Sequence, residues 1–218
     1  ARQAWMTGDP GLLFKHHINR YNPLRRGLGD IVCTNPCGEQ PLYPYESCNL
    51  GSINLYEHVD RESRRISWER LRETVEDAVR FLDDAIDVNR HPIPRLTEVN
   101  LQHRRIGLGV MGLADMLYAL GIPYDSEEGF KTMSEVMEFI AYHAYMASSK
   151  LAAERGSFPL YTISDYGDGL LPISGFHDRR WSLDWSEVAE AVKQGIRNSH
   201  VTTVAPTGSI SMIYDVSA

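Results

Sequence analysis

Cysteine is scarce and odd in number, with three in 218 residues, at positions 33, 37 and 48. Three is too few for a disulfide scaffold and fits a reducing cytoplasm. Long apolar runs are also missing. No stretch of 18 apolar residues occurs, and the most apolar segment, 106–122, is broken by Asp115 and four glycines. A membrane span is therefore not expected, and no charged-then-apolar leader opens the chain. Basic excess is absent as well. Twenty-two Lys and Arg against 29 Asp and Glu leave a net charge of −7, which argues against a nucleic-acid partner. What remains is ordinary globular composition, 43% hydrophobic and 23% charged, with length enough for one large domain. The chain opens at Ala1 inside what reads as structured sequence and closes just after a helix start, so a piece of a longer polypeptide is expected.

The most informative stretch is 34–55, TNPCGEQPLYPYESCNLGSINL. It holds Cys37, Cys48 and the triplet Asn35, Cys37, Glu39. In extended backbone these alternate residues face one way. Pro36, Gly38, Pro41 and Pro44 are poor strand residues, so a stiff loop is expected rather than a sheet strand. Such a loop can hold an amide, a thiol and a carboxylate in a cavity.

The rest reads as helices joined by short strands and turns. Before residue 30 the chain is rich in turns, with Leu12 to Phe14 opening a short helix and Arg20, Arg25 and Arg26 as solvated charges. Residues 49–56 suit a strand. The 3.6-residue spacing of Leu71, Val75, Ala78, Val79, Leu82 and Ile86 predicts a helix over 68–89, capped by Ser67, with a charged solvent face. Gly107, Gly109 and Gly112 spell the dinucleotide pattern G-x-G-x-x-G, but no buried apolar strand leads into it. The plainer reading is a short strand turning into a helix, with glycines for close packing. Asp125 and Glu128 predict the start of a long helix to Arg155, closed by Gly156. Its inner face is Phe130, Met133, Val136, Met137, Ile140, Ala144, Leu151 and Ala152, and its small residues Ala141, Ala144, Ala147 and Ser148 admit a close neighbour. His143 reads as structural. Residues 157–183 read as irregular, and Asp184 with Glu187 starts another helix. Then 201–205 suits a short buried strand, Pro206 to Gly208 a turn, and Ser209 onward a helix start. A strand, a glycine turn and a helix N-terminus favour an anion there.

The cysteines admit several chemistries. Cys33-x3-Cys37 lacks a second pair, so zinc is not expected and no metal site is assigned. Burial as an inert thiol suits Cys33. It suits Cys37 poorly, because Pro36 and Gly38 flank it and polar groups stand two positions to either side. Beside Cys37, Glu39 suits a base on a substrate hydroxyl, Asn35 an orienting amide, and Cys48 a two-electron thiol.

TNPCGEQPL followed by SCNLGSINL resembles the finger loop of a ribonucleotide reductase large chain. RRIGLGVMGLADML and APTGSISMI resemble two further stretches of that family in the same order, and TGDPGLLF and RGSFPLY also match. The gap from Cys37 to Cys48 and the APTGS loop look most like class II, the adenosylcobalamin-dependent branch. The resemblance implies an α/β fold, part of a ten-stranded barrel, with residues 1–218 a single partial domain and 34–48 its finger. It implies that Cys37 becomes a thiyl radical taking the 3′-hydrogen of a ribonucleotide. Glu39 then takes the 3′-hydroxyl proton, Asn35 binds substrate, and Cys48 is half of a redox pair whose partner lies upstream. Pro206, Thr207, Gly208, Ser209 and Ile210 would hold the substrate phosphates. A thioredoxin-like reductant is implied, and a nucleotide effector and a homodimer are allowed in the full-length protein. Three other readings stay open: a class I chain with a partner radical subunit, a catalytically incomplete nucleotide-binding module, and a nicotinamide enzyme. Little activity is expected of the chain alone.

Overall fold

The computed structural model describes residues 1–173 and 181–218. Three short helices open it, α1 (Arg2–Thr7), α2 (Lys15–Asn19) and α3 (Arg25–Leu28). A hairpin follows, β1 (Cys33–Thr34) antiparallel to β2 (Pro41–Leu42). Strand β3 (Leu50–Asn54) then leads through a 3-10 turn and a second small hairpin, β4 (Val59–Asp60) and β5 (Arg65–Ile66), into helix α4 (Trp68–Val88). After α5 (Pro94–His103) comes β6 (Gly107–Met111), which runs parallel to β3 with Leu50 opposite Gly107 and Asn54 opposite Met111. Helices α6 (Leu113–Leu120), α7 (Glu127–Arg155), α8 (Trp185–Gln194) and α9 (Gly208–Ile213) complete the order. A parallel bridge between Leu108 and Thr202 adds a third segment beside β6. Strand, helical crossover and parallel strand recur, which makes the fold α/β. The described residues form no closed barrel; the parallel segments make an open sheet.

The core forms where the periodicity places it. Leu71, Val75, Val79, Leu82 and Ile86 of α4 are buried against Val136, Ile140, Ala144, Ala147 and Leu151 of α7. Each large aliphatic side chain so buried contributes about 1.5–3 kcal/mol. The small residues of α7 do admit a neighbour: buried Ser148 donates to Asn198 Oδ1 at 2.8 Å and accepts from the Asn198 N–H at 3.1 Å. His143 packs between the rings of Phe139 and Tyr142.

Several local expectations need correction. Ser67 makes no side-chain cap; its N–H donates instead to the His58 carbonyl. The cap of α7 is Ser126, whose hydroxyl accepts from Gly129 N, one residue later than the Asp125 start. Phe130 is exposed rather than on the inner face. Arg25 and Arg26 are exposed as expected, and pair at the surface with Asp30 and with Asp165 and Asp168. Only Thr202 of 201–205 makes a strand-type bridge, and Val204 is exposed. Within 157–183 the described part holds 3-10 turns at Tyr161–Ile163 and Asp165–Asp168; residues 174–180 lie outside the described residues.

Two buried ionic clusters tie the elements together. Asp83, on the presumed solvent face of α4, is fully buried. It accepts from Arg104 Nε at 2.9 Å, Arg197 Nε at 3.2 Å and Asn198 Nδ2 at 2.9 Å, with Arg155 at 3.4 Å. Four distant segments thus meet on one carboxylate. In the second cluster, Arg105 holds Glu46 through two bonds, at 2.9 and 3.1 Å, and Glu46 accepts from Tyr43 N at 2.6 Å. That pair fastens the chain between Cys37 and Cys48 to the root of β6.

Candidate active site

The finger is a hairpin whose tip, 35–40, turns rather than extends. Gly38 has φ +86°, a value that favours glycine. Alternation along a strand is therefore not what gathers the side chains. Asn35 does the shaping. Its Oδ1 accepts from Gly38 N at 3.1 Å and from Gln40 N at 3.0 Å, while its own N–H donates to the Gln40 carbonyl at 3.1 Å. An Asn side chain that accepts from the backbone N–H groups ahead of it closes a turn without help from a sheet.

Asn35 is buried, Glu39 half-buried, and Cys37 and Cys48 exposed. Cys33 is also exposed, contrary to the inert buried role, with its thiol donating to the Leu42 carbonyl at 3.2 Å. The structure brings four expected residues together. Cys48 lies within electrostatic reach of Glu39 and Cys37, with the Asn35 side chain beside it. Partial burial pushes the Cys48 thiol up first, and the Glu39 carboxylate pushes it further; Arg105 and the Asn35 side chain pull the other way. Glu39 Oε2 is buried with no hydrogen-bond partner among the described residues. A carboxylate oxygen left so is costly unless something else supplies a donor. Cys48 also borders a cavity of about 340 Å³ walled by Asn49, Ile86, Asn100 and Arg105. A larger cavity of about 520 Å³, between β3 and α4, contains none of the finger residues.

The other expected group, Pro206 to Ile210, turns into α9. Pro206, Gly208, Ser209 and Ile210 are exposed, and Thr207 is buried. Thr207 adopts φ +56°, uncommon for a β-branched residue, and its Oγ1 is buried without a partner among the described residues. No described hydrogen bond joins 206–210 directly to the finger. The link runs through Thr203, whose hydroxyl donates to the Glu39 carbonyl at 2.8 Å.

Gly107 and Gly109 lie inside β6, not in a turn after it, and the N–H of Gly112 donates to the Ser217 carbonyl at 2.8 Å. The glycine run is thus a packing surface rather than a phosphate loop. Thr203, Gln40, Glu46 and Arg105 escaped the sequence reading. The sole hint was the Arg104-Arg105 pair abutting an apolar glycine run, which signals charges needing buried partners but not which ones.

The whole chain, residues 1–218, matches the family model described as ribonucleotide reductase, barrel domain. A vitamin B12-dependent ribonucleoside-diphosphate reductase of Thermoplasma acidophilum is 50% identical over 211 residues, covering 97% of this chain and 24% of that protein. The protein of the same name from Mycobacterium tuberculosis is 49% identical over 217 residues, covering 100% of this chain and 28% of its own. A ribonucleoside-diphosphate reductase subunit alpha of Chlamydia pneumoniae is 42% identical over 229 residues, covering 96% and 22%. The chain spans about a quarter of the length of these relatives. With its finger, its parallel strands and a match from the first residue to the last, the chain belongs to the ribonucleotide reductase family, within that family's barrel domain.

Proposed function

We propose that this chain carries the reaction centre of an enzyme that reduces ribonucleoside diphosphates to 2′-deoxyribonucleoside diphosphates, for DNA synthesis. The observation that carries this reading is the finger, where Asn35 shapes the loop that bears Cys37 and Glu39 and Cys48 lies within electrostatic reach of both. Adenosylcobalamin, which the names of the two most similar relatives above imply, supplies when bound the radical that removes the hydrogen atom of the Cys37 thiol. An exposed thiol at a loop tip suits that exchange.

The remaining steps belong to the chain. The Cys37 thiyl takes the 3′-hydrogen of the ribose. Glu39, whose buried oxygen lacks a donor, accepts the 3′-hydroxyl proton as the 2′-hydroxyl leaves as water. Asn35 has its carbonyl engaged by the loop, so its amide is the group that reaches the substrate or the Cys48 sulfur. Cys48 and a second cysteine outside this chain supply two electrons and two protons and become a disulfide. Cys37 returns its hydrogen to C3′. Ribonucleotide plus dithiol thus gives deoxyribonucleotide, disulfide and water. A thioredoxin-like protein restores the dithiol in a reducing cytoplasm. Thr207 Oγ1 and the first N–H groups of α9 (Gly208, Ser209, Ile210), with Pro206 setting the turn, hold the diphosphate. A nucleotide effector site, a homodimer and the ten-stranded closure belong to the full-length protein, in which residues 1–218 form part of one catalytic domain.

The test is nucleotide reduction by the full-length protein with adenosylcobalamin. Cys37→Ser is expected to abolish turnover and leave nucleotide binding nearly unchanged; surviving turnover contradicts the radical role. Turnover without cobalamin, driven by a metalloprotein partner, would place the chain in class I instead.

A further inference from the structure

A base at a hairpin tip is only as well placed as the backbone beneath it. The bonds that close residues 35–40 on Asn35 lie within the hairpin. One more comes from 164 positions away: the Thr203 hydroxyl, donating to the Glu39 carbonyl at 2.8 Å. Thr203 is itself registered on β6, its N–H donating to the Leu108 carbonyl at 3.0 Å. The seat beneath is made of glycine. A Cβ on Gly107 would stand 2.3 Å from Gln40 Nε2 and 2.7 Å from Thr203 Cγ2, and one on Gly109 would stand 2.2 Å from the Thr203 carbonyl oxygen. The methyl of Thr203 therefore rests on Gly107 while its hydroxyl grips the finger. A β-branched side chain held on both branches has one χ1 open to it.

We propose that Thr203 is a positioning residue for nucleotide reduction. Its hydroxyl, set on the glycine floor of β6, fixes the Glu39 carbonyl, and through it the Glu39 carboxylate and the Cys37 thiol. This rests on the function proposed above. Small displacements at a reacting centre reach about a hundredfold in rate, whereas binding of the distant diphosphate is not touched.

The test uses the full-length enzyme with adenosylcobalamin and a ribonucleoside diphosphate. Thr203→Val keeps the shape and removes the donor; Thr203→Ala removes it without crowding the floor. Both are expected to lower kcat about ten- to a hundredfold with KM within about twofold. Thr203→Ser, which keeps the hydroxyl, is expected to restore most of the rate. Wild-type kcat in both Val and Ala variants, or a Ser variant as impaired as Ala, or a loss carried by KM, overturns the proposal. Cys37→Ser in the same assay separates the two levels. If it turns over, the functional reading fails; if it is dead while Thr203→Val and Thr203→Ala are normal, only the positioning role fails.

Discussion

The side-chain carbonyl of Asn35 is committed to the loop that carries it, through Gly38 N and Gln40 N. A residue whose type suggests a substrate contact is at the same time the keystone of its own turn. Asn35→Ala removes that acceptor, and the Gln40 amide, which donates to it, is expected to exchange faster with solvent, by hydrogen-exchange mass spectrometry, while the β3 amides are unchanged. Equal protection in the variant would contradict this. The Cys48 thiol sits where the Glu39 carboxylate raises its pKa. Glu39→Gln removes that negative charge, so the pH midpoint for alkylation of Cys48 is expected to fall, read peptide by peptide. A midpoint unmoved or raised would place Glu39 elsewhere.

At the scale of elements, the finger hairpin, β6 and the 201–203 segment act as a unit. The spacing Asn35, Cys37, Glu39 was legible in the sequence because three chemically distinct groups stand at alternate positions among helix and strand breakers. How they converge was not. A two-residue period predicts one face, but Gly38 at positive φ and the Asn35 carbonyl wrap the tip into a turn. Helix α4 was legible from its apolar stripe, yet Asp83 was read as solvent-facing by its charge. Its partners, Arg104, Arg155, Arg197 and Asn198, come from three other segments, and no local pattern reports them. Because that carboxylate is fully buried among three guanidinium groups, Asp83→Ala is expected to destabilise by about 3–5 kcal/mol, by urea titration. A change within about 0.5 kcal/mol, the range of ordinary surface substitutions, would contradict the network's role.

For the molecule as a whole, burial holds His58 and His103 below the ordinary histidine pKa, and desolvation of the half-buried His200, with Arg105 and His103 nearby, holds it well below. The unfolded chain takes up these protons as the pH falls through about 6.5, and the folded chain does so only lower. Stability is therefore fully present above that value and lost as the solution is acidified towards the depressed folded values. The denaturation midpoint is expected to fall between about pH 7 and pH 5. His200→Gln should flatten part of that fall, whereas an unchanged slope would remove His200 from the account. Outward, β3 is paired by β6 on one side only among the described strands, and Phe81 and Val88 of the adjoining helix are 73% and 77% exposed. An open parallel edge beside exposed apolar side chains calls for further chain. Residues 1–218 alone are accordingly expected to reduce no nucleotide.

The most direct measurement is a deuterium isotope effect on kcat/KM in the full-length enzyme, using substrate labelled at C3′ of the ribose. A primary effect in the wild type, with no turnover at all in Cys37→Ser, is the predicted result. No isotope effect together with reduction by Cys37→Ser would mean that the sulfur at position 37 does not take the 3′-hydrogen.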